Sequence, residues 1–212
     1  MQTLLVAGGG LGDWPEIQKE AYDFFVGIDH GSIDLLEQGL PLDLAVGDFD
    51  SLTEKEYHKV SAQAQQVIKA PAEKDDTDTQ LALQKVWELF PKTTVTLIGA
   101  IGGRLDHFLA NLWLPLEPRF QPFIQQLVLR DRQNSVRYYS PGHYELKKEA
   151  EMRYLAYCCL TPVTGLTLRH SKYQLTNQTV PYPTSYASNE FLKETAEFAF
   201  EHGIIAVVQS RD

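Results

Sequence analysis

Short apolar runs closed by glycine or aspartate recur over roughly the first 130 residues, with helix-length segments between them. This alternation restricts the fold more than any other feature. Leu4 to Ala7 is the first such run and ends at Gly8-Gly9-Gly10-Leu11-Gly12. Phe24 to Ile28 ends at Asp29-His30-Gly31, Leu42 to Val46 at Gly47-Asp48-Phe49-Asp50-Ser51, and Thr94 to Ile98 at Gly99-Ala100-Ile101-Gly102-Gly103. Gln66 to Lys69 and Leu127 to Leu129 read as further strands. The intervening segments read as helices: Trp14 to Tyr22 with Pro15 in its first turn, Ser32 to Gln38, Thr53 to Ala64, Asp78 to Phe90, and one beginning at Phe108-Leu109-Ala110-Asn111-Leu112. Strand and helix alternating over this many units predict an α/β fold, a doubly wound and mainly parallel sheet. After Asn134 the helices stop. Val136 to Tyr139, Tyr144 to Leu146, Tyr154 to Leu160, Leu166 to Leu168, Tyr173 to Leu175, Ala196 to Phe200 and Ile204 to Val208 read as short strands with turn residues between. They predict a small C-terminal β-sandwich, with domains at residues 1–134 and 135–212.

Composition narrows the function. Hydrophobic residues make up 43% and charged residues 22% of 212, the balance of an ordinary globular chain. No apolar run approaches the ~18 residues of a membrane span. Met1-Gln2-Thr3-Leu4-Leu5-Val6 has no basic region and enters a strand directly, so a cytoplasmic protein is expected. Cys158 and Cys159 are adjacent in an apolar run, which disfavours a disulfide between them. The formal net charge of −9 argues against a duplex nucleic-acid partner. An acidic protein that takes a polyphosphate must bring metal ions to it, whereas a cationic small molecule would be welcome.

Three stretches carry the chemistry. In an extended chain residues i and i+2 point the same way, so Asp48 and Asp50 would project together from the end of their strand, at the edge where open α/β sheets bind ligands. Paired carboxylates call for a cation or a shared proton, and oxygen-only ligands suit Mg²⁺. The alternative is a turn in which Asp50 or Ser51 caps the next helix. In Lys74-Asp75-Asp76-Thr77-Asp78-Thr79-Gln80, Thr77 and Gln80 form a capping-box pattern. One cap needs one side chain, yet three carboxylates crowd that turn, and Asp78 is the best candidate for a shared ligand. The third stretch is Gly102-Gly103-Arg104-Leu105-Asp106-His107. A glycine loop opening a helix exposes backbone N–H groups to an anion, and Arg104 adds a planar fork for phosphate oxygens. Asp106 could accept a hydroxyl hydrogen bond or cap the helix; His107 has no evident partner. Gly8-x-Gly10 with Asp29 about 20 residues on partly imitates a dinucleotide fingerprint, but Asp13 stands where the third glycine belongs. A tight strand-to-helix turn is the better role for it.

Gly47-Asp48-Phe49-Asp50-Ser51, Lys74-Asp75-x-Thr77-Asp78 and Gly102-Gly103-Arg104-Leu105-Asp106-His107 with Asn111 together resemble, in order and spacing, the thiamine pyrophosphokinase family. Asp29-His30-Gly31 stands where that family has Asp-Gly-Gly, and Ser188-Asn189-Glu190 and Gly203-Ile204-Ile205 resemble its closing motifs, so the likeness spans nearly the whole chain. The resemblance implies Mg²⁺-dependent transfer of the terminal diphosphate of ATP to the hydroxyl of thiamine, with release of AMP. It implies Asp48, Asp50 and Asp78 as metal holders. Together with Arg104, which contacts the triphosphate, and Asp106, which meets a hydroxyl, they form the catalytic set. It places Asp75, Thr77, Gly102, Gly103 and His107 around the nucleotide and Asp29, Lys74, Ser188 and Asn189 around thiamine. It also implies a homodimer with sites at its interface. This chain departs from the family in having Pro181-Tyr182-Pro183-Thr184-Ser185-Tyr186 where a tryptophan is usual, which leaves Tyr182 or Tyr186 as substitutes, and in Lys74, where some relatives carry glutamine. Two rivals stand. A haloacid-dehalogenase-type phosphatase also uses Asp-x-Asp after a strand, although normally the first strand. A non-catalytic nucleotide or thiamine sensor is the other.

Overall fold

The computed structural model describes the whole chain except Gly10, Ala72 and Lys74, and gives Leu11 by its backbone alone. The chain forms two compact units. One comprises Met1–Leu114 with Leu129–Arg132, the other Pro115–Val128 with Gln133–Asp212.

The first unit is built on β1 (Gln2–Val6), β2 (Phe24–Ile28), β3 (Leu44–Gly47), β4 (Gln66–Lys69) and β5 (Thr94–Ile98), in the spatial order β5-β1-β2-β3-β4 with every pairing parallel. The last two residues of β6 (Leu127–Arg130) also belong to this unit. Parallel strands covered on both faces read as unbroken apolar runs. Leu4-Leu5-Val6 and Leu44-Ala45-Val46 are such runs, and all six side chains are fully buried. Helices α1 (Gly31–Glu37), α2 (Glu54–Gln63), α3 (Asp78–Leu89) and α4 (Leu105–Trp113) connect the strands. α2 and α3 both begin with complete capping boxes, Thr53 with Glu56 and Thr77 with Gln80, the second as the sequence predicts. α3 then buries Ala82, Leu83, Val86 and Trp87 on one face.

Strand order reverses between β1 and β5, and the loops that follow these strands meet there. A Cβ at Gly9 would fall on the Gly99 carbonyl oxygen, and one at Gly99 on the Ala7 carbonyl oxygen. Gly9 and Gly99 therefore let the two loops pack backbone against backbone, and a Cβ at Gly8 would meet the His30 side chain. The turn expected here to lead from strand into helix is followed by no α-helix among the described residues, and Gly10 lies outside them. The helix expected from Trp14 to Tyr22 does not form. Short 3-10 turns at Leu11–Asp13 and Lys19–Ala21 flank an extended Gln18 instead. Trp14, Ile17 and Tyr22 reach the core from this irregular segment, which has too few apolar residues to make a helical stripe.

The second unit is a sandwich of two antiparallel sheets. β7 (Asn134–Tyr139), β9 (Tyr154–Cys159), β12 (Thr184–Glu190) and β14 (Ile205–Ser210) are ordered β12-β9-β14-β7. β8 (Gly142–Lys147), β10 (Val163–Arg169), β11 (Leu175–Val180) and β13 (Thr195–Phe200) are ordered β11-β10-β13-β8. Leu155, Tyr157 and Cys159 from one sheet and Leu166, Leu168 and Phe198 from the other share one core. The segment Pro115–Val128 joins this unit, where Gln125 Nε2 donates to the Tyr144 hydroxyl at 2.7 Å. Sequence reading misses β12 and nearly all of β11. Both are edge strands of mainly polar residues with few buried side chains, so neither shows an apolar alternation. Tyr173, expected in a strand, precedes β11.

Candidate active site

The carboxyl ends of β2 and β3 and the first turn of α3 bring three acids together. Gly47 has φ 153°, and a Cβ there would fall on the Asp29 carboxylate, so this glycine makes the space that Asp29 fills. Asp29 Oδ1 accepts the Phe49 N–H at 3.1 Å, while its side chain contacts that of Asp78 and lies close to Asp48. Burial pushes the Asp29 carboxyl up to about 6; the Asp78 and Asp48 charges add to this, and the Phe49 N–H opposes it.

The chain from Asp48 to Asp50 is not an extended strand. Phe49 takes a left-handed conformation, φ 61°, and its ring is buried against Tyr57 with centroids 5.4 Å apart. Burying that ring turns the chain. The Asp48 carboxylate accepts the Asp50 N–H at 3.0 Å, and Asp50 itself is exposed. The acids in electrostatic contact are therefore Asp29, Asp48 and Asp78, with Asp50 at the rim. Among the described residues no three His, Cys, Asp or Glu side chains are spaced to hold an ion as they stand. Clustered carboxylates with one proton affinity raised nevertheless match the chemistry of a hard cation such as Mg²⁺. Asp75 is exposed, Thr77 is committed to its capping box, and Lys74 lies outside the described residues.

The loop after β5 supplies the cationic part. Gly102 and Gly103 have φ 83° and 66°, and a Cβ at either would meet nothing within 4 Å, so their backbone faces open space. Asn111, buried on α4, donates to the Ala100 carbonyl at 3.1 Å and pins this loop to the helix. Arg104 stands at the N-cap of α4 and offers no side-chain cap. Its guanidinium forks onto Asp106, Nε to Oδ1 at 3.2 Å and Nη2 to Oδ2 at 2.6 Å, with both side chains exposed. The Arg104 hydrogen bonds hold the Asp106 carboxyl down at about 2. His107 is exposed.

In the sandwich, Ser188 is exposed with φ 58° beside a register shift in β12. Asn189 is buried and its amide is fully engaged. The oxygen accepts the Tyr173 and Glu190 N–H groups, each at 2.9 Å; the NH₂ donates to the Tyr173 carbonyl at 2.9 Å and to Ser171 Oγ at 3.3 Å. Asn189 thus grips both backbone groups of Tyr173, a residue that is 59% exposed. Lys172 lies over that ring, its Nζ 5.6 Å from the centroid, and pairs with Glu190 at 2.7 Å. Tyr186 is half-buried against the sandwich core, and Tyr182 is exposed. Sequence reading did not single out Tyr173, because its anchor lies 16 residues further on.

Two family models match the chain. One is described as the catalytic domain of thiamin pyrophosphokinase and covers residues 17–125; the other is its vitamin B1 binding domain, over residues 143–205. The chain belongs to the thiamin pyrophosphokinase family. A thiamine pyrophosphokinase of Bacillus subtilis is 33% identical over 217 residues, covering all of both chains. A crystal structure of a thiamin pyrophosphokinase family protein from Enterococcus faecalis is 63% identical and superposes with a TM-score of 0.98 over the full length of both chains. A protein from Lactobacillus plantarum is 43% identical with a TM-score of 0.88, over 99% of this chain and 98% of its own. Membership of the thiamin pyrophosphokinase family makes this an enzyme and a transferase. It removes the phosphatase and the passive sensor as leading alternatives. No helix among the described residues is long and apolar enough to cross a membrane.

Proposed function

We propose that this enzyme moves the terminal diphosphate of ATP onto the hydroxyl of thiamine, giving thiamine diphosphate and AMP. A bond forms between the thiamine hydroxyl oxygen and the β-phosphorus, and the hydroxyl proton is released to solvent. The bond from that phosphorus to the oxygen bridging to the α-phosphate breaks, and AMP leaves with the electron pair. The observation that carries the proposal is the juxtaposition of Asp29, Asp48 and Asp78, held by Gly47 and the Phe49 N–H, in a chain that carries the family's motifs in register.

Asp48 and Asp78, with Asp50 at the rim, would hold Mg²⁺, which offsets the charge of the transferred phosphates when bound. Asp29 sets the negative potential behind them through its contact with Asp78. Arg104 takes phosphate oxygens through its fork, and the open Gly102-Gly103 backbone lets a triphosphate approach. Asn111 keeps that loop in place. Asp75 and His107, both exposed, stand at the nucleotide's margin. Tyr173, presented by Asn189, offers its ring face to the thiazolium, where Lys172 now lies; Ser188 is its exposed neighbour on the β12 side. An alcohol has too high a pKa for early proton removal, so placement of the hydroxyl in line with the leaving group is the main contribution. The homodimer that the resemblance implies, and a cytoplasmic setting, belong to the same proposal. Incubating the protein with thiamine, ATP and Mg²⁺ tests it: AMP and thiamine diphosphate should accumulate in equal amounts and stop with EDTA. Equal yields with and without EDTA would refute the metal assignment.

A further inference from the structure

We propose that Asp106 is a built-in stand-in for the donor's phosphate: it holds Arg104 in the empty enzyme and gives it up when the polyphosphate arrives. The inference rests on the reading of Arg104 as the triphosphate contact and deepens it. The guanidinium presents two N–H groups in parallel, and Asp106 satisfies both with its two oxygens at 3.2 and 2.6 Å. That is the same fork that a phosphate would occupy. The pair is exposed on both sides, 73% and 64%, so nothing packed around it locks it shut. The neighbouring backbone at Gly102 and Gly103 opens onto free space, where an incoming anion has room.

Asp106 holds the Nε–Nη2 fork, so a phosphate takes that fork only by displacing it; until then it meets only the remaining guanidinium N–H groups. Once displaced, Asp106 turns away and is free to accept from a hydroxyl of the nucleotide or of the acceptor. The exchange also orients Arg104 before substrate arrives, since an arginine tied to a residue two positions on samples fewer conformations than a free one.

The test uses the full-length protein and inorganic tripolyphosphate, so it does not depend on the reaction. Binding is measured calorimetrically for wild type, Asp106→Asn and Arg104→Lys, and the Arg104 Nε–Hε resonance is followed by NMR. Removing the competing charge of an exposed pair should tighten tripolyphosphate binding about three- to fivefold in Asp106→Asn. The Arg104 resonance of wild type should move on titration, and that of free Asp106→Asn should already differ from free wild type. Unchanged or weaker binding in Asp106→Asn would overturn the proposal, as would an Arg104 resonance unmoved by tripolyphosphate in wild type. A merely structural Asp106 would lower the melting temperature without tightening binding. The wild-type titration needs no variant, so the proposal stays testable if Asp106→Asn misfolds. Thiamine diphosphate formation is assayed in parallel: its absence beside a confirmed exchange would count against the proposed reaction alone.

Discussion

Asp29→Asn separates the stability of this fold from its function. Asn tolerates the left-handed backbone at this position, φ 45°, and its Oδ1 can still accept the Phe49 N–H. What disappears is the charge beside Asp78 and Asp48. The displacement of the Asp29 carboxyl from 3.8 to about 6 would correspond to ~3 kcal/mol at full burial. The group is only partly buried and water screens it, which leaves about 1–2 kcal/mol. The sign follows from linkage: a carboxyl whose pKa is raised on folding contributes stability that is complete below 3.8 and is lost as pH rises through about 6. Without metal, the wild type should therefore lose about 1–2 kcal/mol more than Asp29→Asn between pH 4 and 7.5. At pH 7.5 the variant should be the more stable by that amount, a melting temperature higher by about 2–8 °C. Urea titrations in EDTA at both pH values measure the difference. Added Mg²⁺ should stabilise the wild type and do so less for the variant, and turnover should fall in the variant. A variant less stable than wild type at pH 7.5, or one with the same pH dependence, would refute the account of a charge-strained acid cluster.

Three further substitutions probe the rest of the site. Asp50→Asn should leave the melting temperature unchanged, since the side chain is exposed, yet reduce Mg²⁺-dependent turnover by about 100-fold; near-normal activity with unchanged Mg²⁺ dependence would remove Asp50 from the metal set. Arg104→Lys should lower kcat/KM for ATP by about 10-fold or more, because a point charge cannot replace a fork, and a change confined to the KM of thiamine would place Arg104 in the wrong half of the site. Tyr173→Ala should raise the KM of thiamine by about 3- to 30-fold, the range of a cation–π contact, while Tyr182→Ala leaves it unchanged; the reverse order would restore Tyr182 as the ring contact.

The parallel sheet was legible because its strands are buried on both faces and so appear as plain apolar runs, as at Leu44-Ala45-Val46. Capping chemistry placed the start of α3 at Asp78 because Thr77 and Gln80 leave a local signature. The acid cluster was only half legible. Pairing Asp48 with Asp50 assumed an extended chain, and burial of Phe49 breaks that assumption by turning the backbone left-handed. Asp29 joins Asp78 across 49 positions of sequence through packing of α3 over β2 and β3, which no local pattern reports. Asn189 shows the same limit from the other side. The motif marked it as a contact for substrate, and no local pattern showed that its amide bonds Tyr173, Glu190 and Ser171, which makes presentation of the Tyr173 ring the role proposed for it.

The central claim is transfer of an intact diphosphate, and ³¹P NMR of the protein with ATP, Mg²⁺ and thiamine tests it most directly. The account predicts AMP and thiamine diphosphate growing in together as ATP disappears. ADP with thiamine monophosphate, or free phosphate alone, would contradict it.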